Sequence, residues 1–594
     1  MQSKTSCFNG AVFRKTLARC WPLWAGAALI LFFMMPYTIA PIDTRPLYGP
    51  VSVRSEITEA VLEAARMLPP AAFLFGLVFA AGTFSFLFSK RATGLMASLP
   101  LKREGLFCSS FAAGLTMLLS AGLLTAALAI ILTLTKGVHD LTAIWTWLGV
   151  YAAEAVTFYG IGVFCAMLTG HILVLIPLYA LVNLGGAVLS GLLQFMARML
   201  LPGVPAEGTL AAFAWLDRLS PLEQLLQRAH LLYAEDAAGV YVATAFDSWP
   251  IVLVYLAVGV VLAALALLLF KRRSMECAQE PVTAKWLGQV LKIIVTFFCA
   301  LGLPSFLQLF FGDRFAGATL GLLALTAVGA AIGYLISEMI LHKSVRVTKR
   351  SWLGVAVTAV VACLIVGAMQ LDVFGYVHRV PEPSEVKSAE LRGWNHLKIE
   401  LTDPDDLQAL TELHRGLIDQ QIPTPYGSRA VEITYHLKNG KALTRAYDLY
   451  GDPSADPLSA QLHSLLSSTE LFDAYRDPYH DMAEAEFGSA EVSWTEPSLG
   501  DTGPYTGAFI SRALPEKAAM SLWENGILPD LEAGAFPPVG LESDAEPFPA
   551  FPEIWITVHW EQEGPQQLHY FVTADCTNTL AWLAQHGYEI PGIE

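Results

Sequence analysis

Residues 106–134 read LFCSSFAAGLTMLLSAGLLTAALAIILTL, without a single Asp, Glu, Lys or Arg. A helix rises about 1.5 Å per residue and needs about 20 mostly apolar residues to cross the hydrocarbon core of a bilayer, so this stretch can span it. Comparable runs lie at roughly 21–40, 68–88, 143–168, 171–197, 249–270, 288–311, 317–341 and 352–371. Between 143 and 197 the only break is Thr169-Gly170-His171, but an unbroken helix of that length would be about 80 Å long, so the segment reads as two spans. The sequence predicts an α-helical polytopic membrane protein with about nine spans and its termini on opposite sides.

The composition divides sharply around residue 372. The 594-residue chain is 54% hydrophobic and 15% charged, with a mean hydropathy of +0.47, outside the range of ordinary soluble domains. Residues 1–372 hold 25 Lys and Arg against 18 Asp and Glu, whereas 373–594 hold 12 against 35. The front part therefore belongs in lipid and the back part in water. The negative field of the tail repels nucleic acid, which leaves the lipid bilayer as the medium and no nucleic acid as a partner. Of the eight cysteines only Cys576 falls in the tail, so no disulfide forms within it, and a fold of that size stands on its own core.

Orientation follows from where Lys and Arg fall, because positive flanks stay cytoplasmic. One set carries Lys4, Arg14, Lys15 and Arg19, then Lys90, Arg91, Lys102 and Arg103, then Lys271, Arg272, Arg273 and Lys285, then Lys343, Arg346, Lys349 and Arg350. The other set is sparser, with Arg45, Arg54, Arg66, Lys136, Arg198, Arg218, Arg228 and Arg314. The N-terminus is expected in the cytoplasm and the acidic α+β domain, residues 372–594, on the extracytoplasmic face. The first span lacks the small-x-small site of a cleaved signal peptide and is read as retained. Residues 1–20 form a cytoplasmic or interfacial segment: Phe8, Val12, Phe13 and Leu17 lie opposite Arg14, Lys15 and Arg19, which suits a helix in the inner interface or a plain basic tail. The outer connection 198–248 contains Ser220-Pro221-Leu222-Glu223, a helix start. It is expected as an interfacial or partly re-entrant helical pair, with Trp215 and Tyr233 at headgroup depth.

In the acidic domain, Asp403-Pro404-Asp405-Asp406 starts a helix with Leu407, Leu410, Leu413 and Leu417 as its apolar face. A hairpin over Val431–Tyr435 and Ala442–Tyr450 turns at Asn439-Gly440, a type I′ signal. A similar order recurs over 554–558, 569–572 and 578–586; it is read as coincidence in preference to a duplicated unit.

The chain lacks G-x-x-x-x-G-K-[ST], H-E-x-x-H and G-x-S-x-G. Its only Gly-Lys pair, Gly440-Lys441, sits in the hairpin turn, so an ATP-driven activity would need ATP bound by another chain. No cofactor is expected on this chain, and it is read as a non-enzyme. Asp477, His480 and Asp481 could meet a cation but are better read as a surface loop, and the acidic run at Asp403 lacks the Gly and Glu of a calcium loop. Glu154 stands well inside the fourth span, where a carboxylate must face protein or water. It is either a polar point on a translocation path or part of a helix-to-helix hydrogen bond. Asn183 and Gly185-Gly186 in the fifth span read as close helix packing.

The segment from Ser89 to Gly105 joins spans two and three as a short helix-like piece stopped at Pro100 and flanked by charge. Its Ala97-Ser98-Leu99-Pro100-Leu101-Lys102-Arg103 resembles the S-L-P-x-K-R of ABC-2 type permeases, especially bacterial ones with an extracytoplasmic C-terminal domain. At the end of span six, Arg273-Ser274-Met275-Glu276-Cys277-Ala278 looks like that group's R-x-x-E-x-A-G, departing at Gln279, which stands in place of the glycine. Asp372-Val373-Phe374-Gly375-Tyr376 with Arg379-Val380-Pro381 is similar to the DUF6449-type tail of such permeases. The resemblance implies a six-span permease core (21–270), three additional spans (271–371) and a homodimer or heterodimer of permeases in the plasma membrane. It also implies a separate ABC ATPase subunit docking on Ser98, Leu99, Pro100, Leu101, Lys102, Arg103 and Glu104. The rival expectation is a membrane-tethered receptor whose acidic domain binds a ligand.

Overall fold

A computed structural model describes residues 8–42, 53–98, 100–205, 210, 213–235, 241–283, 285–311, 319–342, 349–373, 375–392, 398–419, 429–449, 457–466, 486–496, 508–533, 535, 553–560, 564–572 and 576–588. Leu99 and the set Asp477, His480 and Asp481 lie outside them. The chain divides into two compact units, Met1–Met196 with Thr209–Gly367, and Ala197–Gly208 with Ala368–Glu594.

The first unit is a bundle of long apolar helices: α1 (Gly10–Met34) with its short continuation α2 (Pro36–Ile39), then α3 (Val53–Arg66), α4 (Leu68–Thr83), α5 (Lys90–Ser98), α6 (Arg103–Thr135), α7 (Thr142–Leu168) and α8 (Ile172–Leu200). After the connection come α11 (Trp249–Arg272), α12 (Lys285–Phe311), α13 (Thr319–His342) and α14 (Lys349–Gln370). Among the described residues eight helices are long and apolar enough to cross a membrane, and counting the bent pair α3–α4 as one span raises the number to 9. The protein is an α-helical polytopic membrane protein.

The second expected span differs from its sequence reading. α4 has only 16 residues and ends at Thr83; the length is made up by the preceding α3, which meets it at a bend of 45°. Pro69 and Pro70 supply no N–H to a helix running through Arg66, so the chain breaks at Met67 and restarts. Residues 8–20 also differ, because α1 runs unbroken from Gly10 into the span, with no separate interfacial helix. Asn9 caps it, accepting from Ala11 N at 3.0 Å and Val12 N at 3.1 Å.

α7 is the centre of the bundle: 83% of its apolar window is buried, against 22% to 39% for the other candidate spans. It gains that position through backbone contacts that a side chain would block. A Cβ on Gly160 would stand 2.4 Å from the Gly259 carbonyl oxygen of α11, and one on Gly162 would stand 2.6 Å from the Gly76 carbonyl oxygen of α4. Lipid supplies no hydrophobic drive between helices, so such close van der Waals packing is what holds them.

The connection after α8 is shorter in helix than expected. It forms α9 (Ala214–Asp217) and α10 (Pro221–Gln227), then a hairpin of β1 (Leu231–Glu235) and β2 (Tyr241–Phe246) in place of a longer helical pair. Val242, Ala243 and Phe246 turn inward from β2, and strand pairing with this β-branched and aromatic run outcompetes helix at Leu231–Tyr233. α10 does start at Pro221, but Ser220 Oγ accepts from Ala187 N at 2.7 Å on α8 and does not cap α10.

The second unit contains two copies of one topology. The first has β3 (Val386–Arg392), β4 (Lys398–Leu401), α15 (Pro404–Asp419), β5 (Arg429–Leu437), β6 (Ala442–Leu449) and α16 (Pro457–Leu466), with sheet order β4-β3-β5-β6. The second has β7 (Glu486–Glu496) and β8 (Ala508–Leu514), then α17 (Glu516–Leu522), a π-helical turn Trp523–Ile527 and α18 (Leu528–Glu532), followed by β9 (Glu553–Trp560), β10 (Gly564–Phe571) and α19 (Thr577–Gln585). Its order is β10-β9-β7-β8. Each sheet places its strands second, first, third, fourth, with every pairing antiparallel. The recurrence read as coincidence is therefore a structural repeat. The leucines of α15 pack on Ile433 and Tyr435, as their spacing implies. In the second copy the buried Asp530 caps α19 from a distance, accepting from Asn578 N at 3.0 Å and Thr579 N at 2.7 Å. The β5–β6 turn is not type I′, since Gly440 is at φ +79 while Asn439 is not at positive φ. Gly440 N donates to the Leu437 carbonyl at 2.9 Å and Leu437 N to that of Lys441 at 2.8 Å, a three-residue loop with glycine in the left-handed position.

Candidate functional site

α5 is a two-faced helix. Thr93 is buried and its Oγ1 donates to the Phe86 carbonyl at 2.6 Å and the Ser89 carbonyl at 2.9 Å, which fixes the helix to the 3-10 turn Ser85–Phe88. The opposite face carries Arg91, Gly94, Leu95 and Ser98, spaced three and four apart and all exposed. Leu95 is 65% exposed among basic neighbours. Of the residues expected to dock a partner, Ser98, Pro100, Lys102 and Arg103 are exposed and Leu101 and Glu104 are half-buried. Leu95 was not among them; its membership of the exposed stripe was legible from helical spacing alone.

The segment after α5 ties this surface to distant helix ends. Arg103 Nη1 donates to the Lys271 carbonyl at 3.1 Å and the Arg273 carbonyl at 2.6 Å, while Glu104 pairs with Lys271 at 2.7 Å. Arg273, only 6% exposed, donates from Nη1 to the Ala166 carbonyl at 2.9 Å and the Met167 carbonyl at 3.1 Å. These belong to the last turn of α7, whose carbonyls have no partner within the helix and carry the negative end of its dipole. The Thr169-Gly170-His171 break is the seat of the next contact. Gly170 N donates to the Glu280 carbonyl at 2.9 Å, Gln279 N donates to the Gly170 carbonyl at 2.8 Å, and Thr169 Oγ1 donates to the Pro281 carbonyl at 2.7 Å. A Cβ on Gly170 would stand 1.9 Å from the Cys277 carbonyl oxygen.

Gln279, the residue that departs from the glycine of the permease pattern, has φ +69. That is the left-handed region, which glycine enters freely and glutamine does not. The backbone at this position carries the strain.

The intramembrane polar residues remain apart. Glu154 on α7 is 2% exposed, and its Oε2 has no hydrogen-bond partner. Asn183 on α8 is fully buried; its Nδ2 donates to the Tyr179 carbonyl at 2.9 Å and its Oδ1 has no partner. No hydrogen bond joins the two. Gly186 serves a loop more than a helix: a Cβ there would stand 2.2 Å from the Leu216 carbonyl oxygen, so the 216–220 segment lies against the middle of α8.

A further charged pair, missed in the sequence, joins α12 to α13. Lys292 Nζ bonds Glu338 Oε2, with the two side chains 7% and 13% exposed; His342 Nε2 is 3.4 Å from Glu338, and Lys292 lies 4.8 Å from the Tyr334 ring centroid. The signal was there: one Lys and one Glu inside the apolar runs 288–311 and 317–341. Beside the pair is a cavity of about 770 Å³ walled by α8, α12 and α13.

No family model matches this chain, and no curated protein or solved structure matches it either.

Proposed function

We propose that the chain is the membrane-spanning subunit of an ATP-driven exporter of the ABC-2 type, powered by a separate cytoplasmic ATPase. In this reading the ATPase docks on α5 and residues 100–104, and the permease works as a homodimer or heterodimer. The basic flanks support a reading with the N-terminus and α5 in the cytoplasm of a bacterial cell and the two-repeat acidic unit outside. One observation carries the reading: a short surface helix with an exposed leucine among basic residues is bonded through its following segment to the ends of α7 and α11. A docked subunit that displaced α5 would thereby pull on the central helix of the bundle.

Co-purification tests it. Membranes containing the full chain with an affinity tag are expected to retain a protein with a phosphate-binding glycine loop, and Leu95→Asp is expected to lose it while membrane insertion persists. Recovery of a kinase or other regulator in its place would favour a receptor. Protease added to intact cells is expected to cut the acidic unit; cleavage only after lysis would reverse the orientation.

A further inference from the structure

The cavity between α8, α12 and α13 has an apolar shaft and a polar mouth. Leu178, Val295 and Ile340 wall the shaft, His171 and Gln279 line it beside the start of α8 and the 279–282 segment, and Lys292 lines it about two turns into α12, inside the bundle. It lies at the end of the bundle where Lys271, Arg272 and Arg273 follow one another. From the start of α8 to Leu181, the deepest lining residue on that helix, is about 14 Å of helix rise, close to half of the roughly 30 Å hydrocarbon core. The shaft therefore has the depth of one leaflet, and its volume is that of a ligand pocket, about 300–1,000 Å³.

The mouth is built from donors. His171 Nδ1 accepts from Leu173 N at 3.2 Å, which leaves Nε2–H as the donor of the neutral ring. Lys292 lines the wall as the cationic half of the ion pair with Glu338, with N–H groups beyond the one that Glu338 takes, and among the described lining residues there is no Asp or Glu. Gln279 holds an amide side chain at the mouth in a backbone conformation that a glycine would adopt without strain. Strain of that kind persists where the side chain has work to do.

We infer that this cavity binds an anionic phospholipid of the basic-side leaflet, one acyl chain in the shaft and the phosphate against His171, Gln279 and Lys292. Basic pockets between membrane helices recognise such headgroups. Because α12 and α13 lie outside the six-span core and α8 within it, the bound lipid fills the joint between them. The site stands whether or not the chain is an exporter.

The test uses the full chain in nanodiscs of phosphatidylcholine with a minor fraction of phosphatidylglycerol. Probes of each lipid carry a photoreactive group on the acyl chain, and peptides from α8, α12 and α13 are read by mass spectrometry. Phosphatidylglycerol is expected to label them about tenfold more than phosphatidylcholine, because both lipids present the phosphate but only choline brings a second cation toward Lys292. Val295→Trp, which fills the shaft, is expected to abolish labelling by both. The pair Lys292→Gln with Glu338→Gln, which keeps shape and hydrogen bonding but removes the cation, is expected to bring the two lipids level. Gln279→Gly is expected to raise the thermal midpoint and reduce the preference, which separates loss of ligand from loss of fold. Equal labelling of the wild type by the two lipids, or labelling indifferent to Val295→Trp, means annular lipid only and overturns the site.

Discussion

Arg103 and Arg273 form a relay: the guanidinium of Arg103 donates to the Arg273 carbonyl at 2.6 Å, and the guanidinium of Arg273 donates in turn to the Ala166 and Met167 carbonyls, at 2.9 Å and 3.1 Å. Two cationic side chains thus link the start of α6, the end of α11 and the end of α7. Each uses backbone oxygens at helix ends, which a membrane helix must satisfy somewhere.

The two links are expected to fail differently. Arg103→Gln removes an exposed donor, so it should leave the thermal midpoint nearly unchanged; on the exporter reading proposed above, the ATPase stays bound while its rate in the presence of this chain falls. Arg273→Gln leaves two buried carbonyls short of a partner and is expected to cost about 1–3 kcal/mol. A thermal melt in detergent beside an ATPase assay separates the two outcomes, and equal loss of stability in both variants would refute the division of roles.

The Lys292–Glu338 pair is expected to behave as a buried ion pair. Glu338→Leu alone strands a cation 6% exposed inside the bundle and should cost about 3–5 kcal/mol. Replacing both, Lys292→Met with Glu338→Leu, removes the desolvation penalty along with the attraction and should be neutral or stabilising. Thermal midpoints of the two singles and the double close the cycle; additive losses would mean that the residues do not interact.

Glu154 poses the opposite case, since its Oε2 is buried without a partner. An ionised carboxylate there would cost several kcal/mol, so Glu154→Gln is expected to keep or raise the thermal midpoint. On the exporter reading proposed above, a fall in transport while stability holds would give the acid a role that an amide cannot fill. A drop in stability would instead reveal a partner that needs the carboxylate.

How far these features could be read in the sequence depended on the range of the interactions that make them. Spans such as α7 and α11 declare themselves, because apolar length and flanking charge are local properties. The α15 leucines and the Asp403 cap are likewise written within one or two turns. The α3–α4 bend was missed because the amphipathic α3 fails a test for apolarity, although Pro69-Pro70 marks the break. The hairpin β1–β2 was missed because Leu231–Tyr233 is ambiguous until Tyr241–Phe246 is beside it. The repeat was discounted because strand order depends on pairings between residues far apart in the chain. At the candidate site, the basic loop was legible and its attachment was not: nothing local says that Arg273 reaches back across more than a hundred residues to Ala166. Gln279 was visible as a departure from a pattern, but its positive φ only as a coordinate.

The last expectation concerns pH in the first repeat of the acidic unit. His414 is fully buried on α15, with Nδ1 3.1 Å from Tyr435 Oη and Nε2 2.9 Å from Tyr447 Oη. Burial pushes its pKa down from 6.5 to about 4, and the nearby charges of Arg445 and Arg415 push the same way. Above the unfolded value neither state carries the proton, and the ring costs nothing. As pH falls from about 6.5 toward 4 the unfolded chain takes up a proton that the native state refuses, so stability declines across that window, by at most roughly 3 kcal/mol. Proteolysis of the full chain, read on peptides from α15 to β6, should accelerate between about pH 7 and about pH 5 once the protease's own pH dependence is removed with an unfolded reference substrate. His414→Gln keeps a donor and an acceptor for the two tyrosines and cannot titrate. Its profile should be flatter over the same range even if the variant is less stable throughout, and a profile parallel to the wild type would show that the proton binds elsewhere.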